Sequence, residues 1–200
     1  MCTITSHLKV SEEAYHSNSN KYIITGGPGV GKTTILQQLE DVLKVFEAAQ
    51  HIITQDLKAG IEKPWAAADF EERIVALQKE RQKEVKHVKD KIVFFDRSPI
   101  DTMTYYLMIR SLPVPEIIKN TVQKVIDKKF YNETVFLIDH LDFCEKTEIR
   151  AEKLEESIEI EQKIEESYIA LGFKVVHIPR GTVEERIKKI IEVLSSNLHF

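Results

Sequence analysis

One eight-residue run constrains this chain more than any other. Gly26-Gly27-Pro28-Gly29-Val30-Gly31-Lys32-Thr33 fits the pattern GxxxxGK[ST] at every specified position. Glycines permit backbone angles that a side chain forbids, and they let backbone N–H groups converge on phosphate oxygens. Such a loop belongs between a strand and a helix, because the helix adds unpaired donors and its dipole. Both are in place: the β-rich run Tyr22-Ile23-Ile24-Thr25 precedes the loop, and a helical pattern over about 32–49 follows it. In that setting Gly26, Gly27, Pro28, Gly29, Val30 and Gly31 form a cradle. Lys32 reaches the β- and γ-phosphates of ATP or GTP, the Thr33 hydroxyl is a Mg²⁺ ligand, and Thr34 adds a hydrogen bond to the α-phosphate. Lys32 is expected to be exposed while the loop is empty. The alternative is a glycine-rich turn that merely joins a strand to a helix.

The rest of the chain alternates short β-rich runs with helical patterns. The first twenty residues are polar and read as a tail, with one nucleotide-binding domain over 21–200. His51-Ile52-Ile53-Thr54 is the candidate second strand. Phe70, Ile74, Leu77, Val85 and Val88 form the apolar stripe of a helix over about 69–88. Ile92-Val93-Phe94-Phe95 and Thr134-Val135-Phe136-Leu137-Ile138 read as strands covered on both faces. Two helices lie between them, broken at Pro113 and Pro115. A long helix over about 151–171 ends at Gly172, a strand spans 173–178, and a closing helix starts near Thr182, with Glu185 completing a capping box. Alternating strands and helices imply a parallel sheet with helices on both faces.

A second constellation follows the strand at 92–95. Asp96 ends it, at the edge where open α/β sheets bind ligands, and Arg97 stands beside it with a fork suited to phosphate. Asp96 there supports Mg²⁺ or takes a proton from a hydroxyl nucleophile. Asp96 or Ser98 serving only as a helix cap is the alternative.

Composition removes several classes. A net charge of −4 over 200 residues gives no footprint for nucleic acid. Two cysteines, Cys2 and Cys144, outside any CxxC or Cys/His cluster, argue against a zinc site or disulfide framework. No apolar run is long enough for a signal peptide or a membrane span, so the expected location is the cytoplasm. The scattered histidines His51, His87, His140 and His177 read as surface or core residues; Trp65 packs in a loop, over a cleft or against a partner.

Taken together, GGPGVGKTT at 26–34, the segment 70–78, DRSPIDTMTYY at 96–106, VFLIDHLDF at 135–143, EIRAE at 148–152 and LGFKVV at 171–176 resemble the NadR-type AAA domain family. That family is related to the P-loop kinases of nucleosides and nucleotides. The resemblance implies a three-layer P-loop NTPase fold with a parallel five-stranded sheet. It also implies a mobile lid over 140–152, from which Arg150 reaches the transferred phosphate. By its residues alone, Arg150 is a solvated charge. Many relatives carry a Glu just after the second strand, a place that Gln55-Asp56-Leu57-Lys58 is expected to take here. The leading expectation is an ATP-dependent phosphotransferase acting on a nucleoside- or nucleotide-like small molecule, with Lys32, Asp96, Arg97 and Arg150 in catalysis. A GTP- or ATP-binding regulatory module is the alternative from another class, and a relic with a degenerate site is the third. No NKxD tetrapeptide is present, which weakens a Ras-like version.

Overall fold

The computed structural model describes residues 3–10, 14–110, 112–140 and 154–197. Five strands make one parallel sheet: β1 (Lys21–Thr25), β2 (Leu43–Val45), β3 (Val93–Asp96), β4 (Thr134–Ile138) and β5 (Lys174–Ile178). Their order across the sheet is β2-β3-β1-β4-β5. The helices are α1 (Lys32–Gln38), α2 (Ala48–Lys58), α3 (Phe70–Val85), α4 (Pro99–Ile109), α5 (Glu116–Asp127), α6 (Leu154–Ala170) and α7 (Val183–Asn197).

The inner strands β1, β3 and β4 are buried at every position and mostly apolar, because alternate side chains enter different cores. Ile23, Val93, Phe95, Val135 and Leu137 pack in one core with α3 to α6. Tyr22, Ile24, Phe94, Phe136 and Ile138 pack in the other with α1 and α7. The three-layer α/β architecture expected from the sequence is therefore the fold. Its order leaves β1 between β3 and β4, where connections depart in opposite directions, so the loop after β1 opens onto the crevice at the strand ends.

Two expected elements are corrected. The first helix stops at Gln38; Asp41 takes a left-handed φ of 57°, and β2 follows. His51-Ile52-Ile53-Thr54 is not a strand but lies inside α2. Ala48 and Ile52 stand four residues apart and bury with Phe70 and Ile74, so a helical spacing decides the segment. The true second strand is a three-residue edge strand, partly exposed, without a strongly apolar run to announce it. The end of α6 and the start of α7 agree with the sequence. Gly172, at φ 84°, ends α6, and Thr182 and Glu185 exchange the two hydrogen bonds of a capping box at α7, 2.8 and 3.2 Å.

The first twenty residues, read as a tail, lie on the body wherever they are described. Ile4 and Tyr15 are buried, and Tyr15 stacks on Phe173 with ring centres 4.0 Å apart. Isolated apolar residues in a polar stretch give no periodic signal, which is why the contact is invisible in sequence. Among the described residues no helix is long and apolar enough to cross a membrane. Arg150, the two cysteines and all of the expected lid except His140 lie outside the described residues.

Candidate nucleotide-binding site

The loop after β1 holds left-handed or positive φ at Gly26 (139°), Gly29 (79°) and Gly31 (89°), which explains the residue type at each. A Cβ on Gly26 would also stand 2.4 Å from the Ile138 carbonyl oxygen, so the loop runs against the end of β4. Gly31 is the N-cap of α1, and no side chain caps that helix. Thr33 and Thr34 occupy its first turn, Thr34 exposed. Lys32 differs from expectation: it is buried, and its Nζ donates to the carbonyls of Gly27 (2.7 Å) and Gly26 (3.3 Å). An ammonium over a glycine-rich loop turns to the nearest bare carbonyls.

Asp96 ends β3 beside this loop. Its Oδ2 accepts from Thr33 Oγ1 at 3.0 Å, while Oδ1 is buried without a hydrogen-bond partner among the described residues. Burial, helped by the charge of Glu47, pushes its carboxyl up to about 6; Lys32, Arg97 and Thr33 pull the other way. The cap reading goes to Ser98 instead, whose Oγ accepts from the Ile100 amide while Asp101 closes a capping box.

Arg97 has φ 66°, a conformation few non-glycine residues adopt and one that clusters at functional sites. Its Nε donates to Glu47 Oε1 at 3.0 Å, its Nη1 stands 3.5 Å from Asp101 Oδ1, and the guanidinium lies 5.2 Å from the Tyr105 ring centre. Burial opposes its charge, but Tyr105, Glu47, Asp101 and Asp96 outweigh that and hold it protonated. Asp101 is anchored by Tyr168 of α6, whose hydroxyl donates to Oδ2 at 2.5 Å, and by the Thr25 hydroxyl.

Glu47 was missed in the sequence. With β2 at Leu43–Val45, the place just after the second strand holds Phe46-Glu47, and Gln55-Asp56-Leu57-Lys58 falls on α2 and no longer stands for it. The departure from the family pattern is thereby removed: a carboxylate is there. Recognising the short edge strand is the signal that finds it. Glu47 also lines a cavity of about 500 Å³ beside the loop. Lys32, Arg97 and Asp101 share its wall, with Gln78 and Thr102 as neutral polar groups and Trp65, Phe70, Ile74 and Tyr105 as apolar and aromatic surface. That size and lining suit a small molecule with a flat apolar part. Trp65, left open in sequence, thus borders a cleft.

A glycine-rich phosphate loop after the central strand, a carboxylate and an arginine at the end of its neighbour, and a chamber between them define a P-loop nucleotide-binding protein of kinase-like fold. The chain belongs to the AAA domain family, whose model matches residues 21–186. Solved structures agree on the fold. NadR in complex with NAD and AMP-PNP superposes with TM-score 0.61 at 19% identity, covering 90% of this chain and 49% of that one. Deoxyadenosine kinase from M. mycoides with bound dATP gives 0.57 at 18%, covering 88% and 99%. Thymidylate kinase from Candida albicans gives 0.54 at 12%, covering 90% and 92%. This chain thus spans about half the length of NadR. A search among curated proteins gives no match.

Proposed function

We propose that the chain is a small-molecule kinase that moves the γ-phosphoryl group of ATP or GTP to a nucleoside- or nucleotide-like acceptor. The observation that carries this reading is the cavity: it adjoins the phosphate loop at Lys32 and holds Glu47, Arg97, polar amide and hydroxyl groups and aromatic walls. A chamber of that kind beside the loop offers an acceptor a place that a module signalling only by its bound nucleotide does not require. The phosphate loop holds the donor, with Lys32 turning from the Gly26 and Gly27 carbonyls to the β- and γ-phosphates.

The donor set fits Mg²⁺. Thr33 and Asp96 offer oxygen ligands, one of them the unpartnered Asp96 Oδ1, and in nucleotide sites phosphates and water complete the shell. When bound, the ion neutralises phosphate charge. The acceptor occupies the cavity, and its hydroxyl oxygen bonds to γ-phosphorus as the bond to the bridging β-oxygen breaks and the nucleoside diphosphate leaves. Glu47 faces the cavity and Asp96 does not line it. Glu47 therefore takes the acceptor's proton and Asp96 serves the donor side, a division of the role first given to Asp96 alone. Arg97, and Arg150 as the family resemblance implies, stabilise the charge in transit.

An acceptor screen followed by mass spectrometry tests the proposal. Acceptor-dependent diphosphate formation with a phosphorylated product is expected. Slow hydrolysis indifferent to every acceptor, with partner binding only in the triphosphate state, would instead favour the regulatory module. Within the kinase reading, Glu47→Gln should lower kcat about 10²–10⁴-fold, the usual worth of a placed acid–base group. Triphosphate Kd by titration should stay close to wild type, and an unchanged kcat would remove Glu47 from proton transfer.

A further inference from the structure

We propose that Arg186, on the last helix, is a positioning residue for the phosphate loop, acting through the peptide that joins Val30 to Gly31. Its Nη1 donates to the Val30 carbonyl at 2.7 Å, and its Nη2 to the Asp139 carbonyl at 3.2 Å. The side chain is 4% exposed. It reaches the loop from α7, which packs with α1 on one face of the sheet.

Peptide geometry supplies the first reason. In a trans peptide the C=O and N–H point in opposite directions, and the described residues contain no cis bond. A Val30 carbonyl held toward Arg186 therefore turns the Gly31 N–H away from it. Gly31 sits at φ 89° and is the residue from which α1 starts. A loop with this much glycine has little restraint of its own. The contact from α7 provides restraint that the loop's residues cannot.

Charge supplies the second. A guanidinium bonded to a carbonyl polarises that peptide and so strengthens its N–H as a donor. The third reason is energetic. Arg186 is bonded to two carbonyls, its Nε is buried with no hydrogen-bond partner among the described residues, and the carboxylates whose fields it feels there are Asp139 and Glu161. Burying a cation with one donor unmatched costs desolvation that an apolar side chain avoids, and this offsets the donor that the two carbonyls would lose, so stability alone is a weak reason for an arginine here. The Asp139 contact also ties the loop to the end of β4, against which Gly26 already rests.

The inference rests on the reading of the loop as a triphosphate site, but not on the identity of the acceptor. The experiment therefore measures binding of Mg²⁺–ATP and Mg²⁺–GTP to wild type, Arg186→Met and Arg186→Lys, with the ligand-free Tm of each. Arg186→Met should weaken the Kd about tenfold or more, the effect of misplacing one charge-assisted contact. Arg186→Lys keeps the charge but cannot hold both carbonyls, so its Kd should fall between the two. With an acceptor in hand, KM for the triphosphate should rise more than kcat falls. A merely structural residue would lower Tm and leave the Kd of the folded protein alone. If Arg186→Met does not fold, Arg186→Lys decides the matter. Wild-type affinity in either folded variant overturns the proposal. A wild-type protein that binds neither triphosphate overturns the loop reading, and this inference with it.

Discussion

Lys32→Ala should abolish most triphosphate binding, lowering affinity and turnover by about 10²-fold or more. On the proposed reading the lost ammonium is the point charge that meets the β- and γ-phosphates once Lys32 turns from the Gly26 and Gly27 carbonyls. In wild type, a triphosphate with Mg²⁺ at a hundredfold excess over Kd should add about 2.7 kcal/mol of stability, a rise in Tm of very roughly 5–10 °C for a domain this size. Lys32→Ala should show almost none of that rise. Its ligand-free Tm should stay near wild type, though not because the residue is exposed. Lys32 is buried on the Gly26 and Gly27 carbonyls. Removing it relieves the desolvation of a cation and leaves two carbonyls to water, effects of opposite sign. A full ligand-induced shift in the variant would take Lys32 out of the site.

Asp96→Asn should separate chemistry from binding. The amide keeps the shape and the contact with Thr33 but removes the charge. Phosphoryl transfer should drop about 10²-fold or more, the usual worth of a charge placed to stabilise the transferring group, while nucleotide affinity changes far less, since the loop and Lys32 still hold the phosphates. Asparagine is among the best helix caps, so a residue that only capped α4 would tolerate the change. Paired kcat and Kd values decide it, and equal kcat in both proteins would strip Asp96 of its role.

The carboxyl also carries a pH signature. Its pKa rises from 3.8 to about 6 on folding. Between those values the folded protein binds the extra proton, so this group makes the ligand-free fold less stable as pH rises through the window. The penalty is complete above about pH 6 and absent below the unfolded value. Asp96→Asn should remove that contribution, so its Tm should gain on wild type as pH climbs from 4 to 7. If the ionised form is the active one, wild-type kcat/KM should fall on the acid side of about pH 6.

How much of this was legible depended on whether a residue's partners lie near it in sequence. The loop was complete because its meaning is local: glycines, lysine and threonine within eight residues, between a strand and a helix. β4 was read to the residue because both its faces are buried and its apolar run is unbroken. β2 was lost because a three-residue edge strand needs little hydrophobicity, and with it went Glu47. Ile52 and Ile53 misled because a β-branched pair suits a strand until the i, i+4 contact with Ala48 is seen. Arg186 could not be found from sequence at all. It stands 156 residues from the carbonyl it holds, on an otherwise ordinary charged helix. Asp96 was placed at its strand end from sequence and given two jobs, which the proposed reading divides by the lining of the cavity.

The most direct measurement follows the label of γ-labelled ATP or GTP through a single turnover, with Mg²⁺ and a panel of nucleosides, nucleotides and related ring-bearing metabolites. The kinase reading predicts label on one class of acceptor, at a rate that depends on acceptor concentration and collapses in Glu47→Gln. Label appearing only as inorganic phosphate, at one slow rate whatever is added, would contradict it.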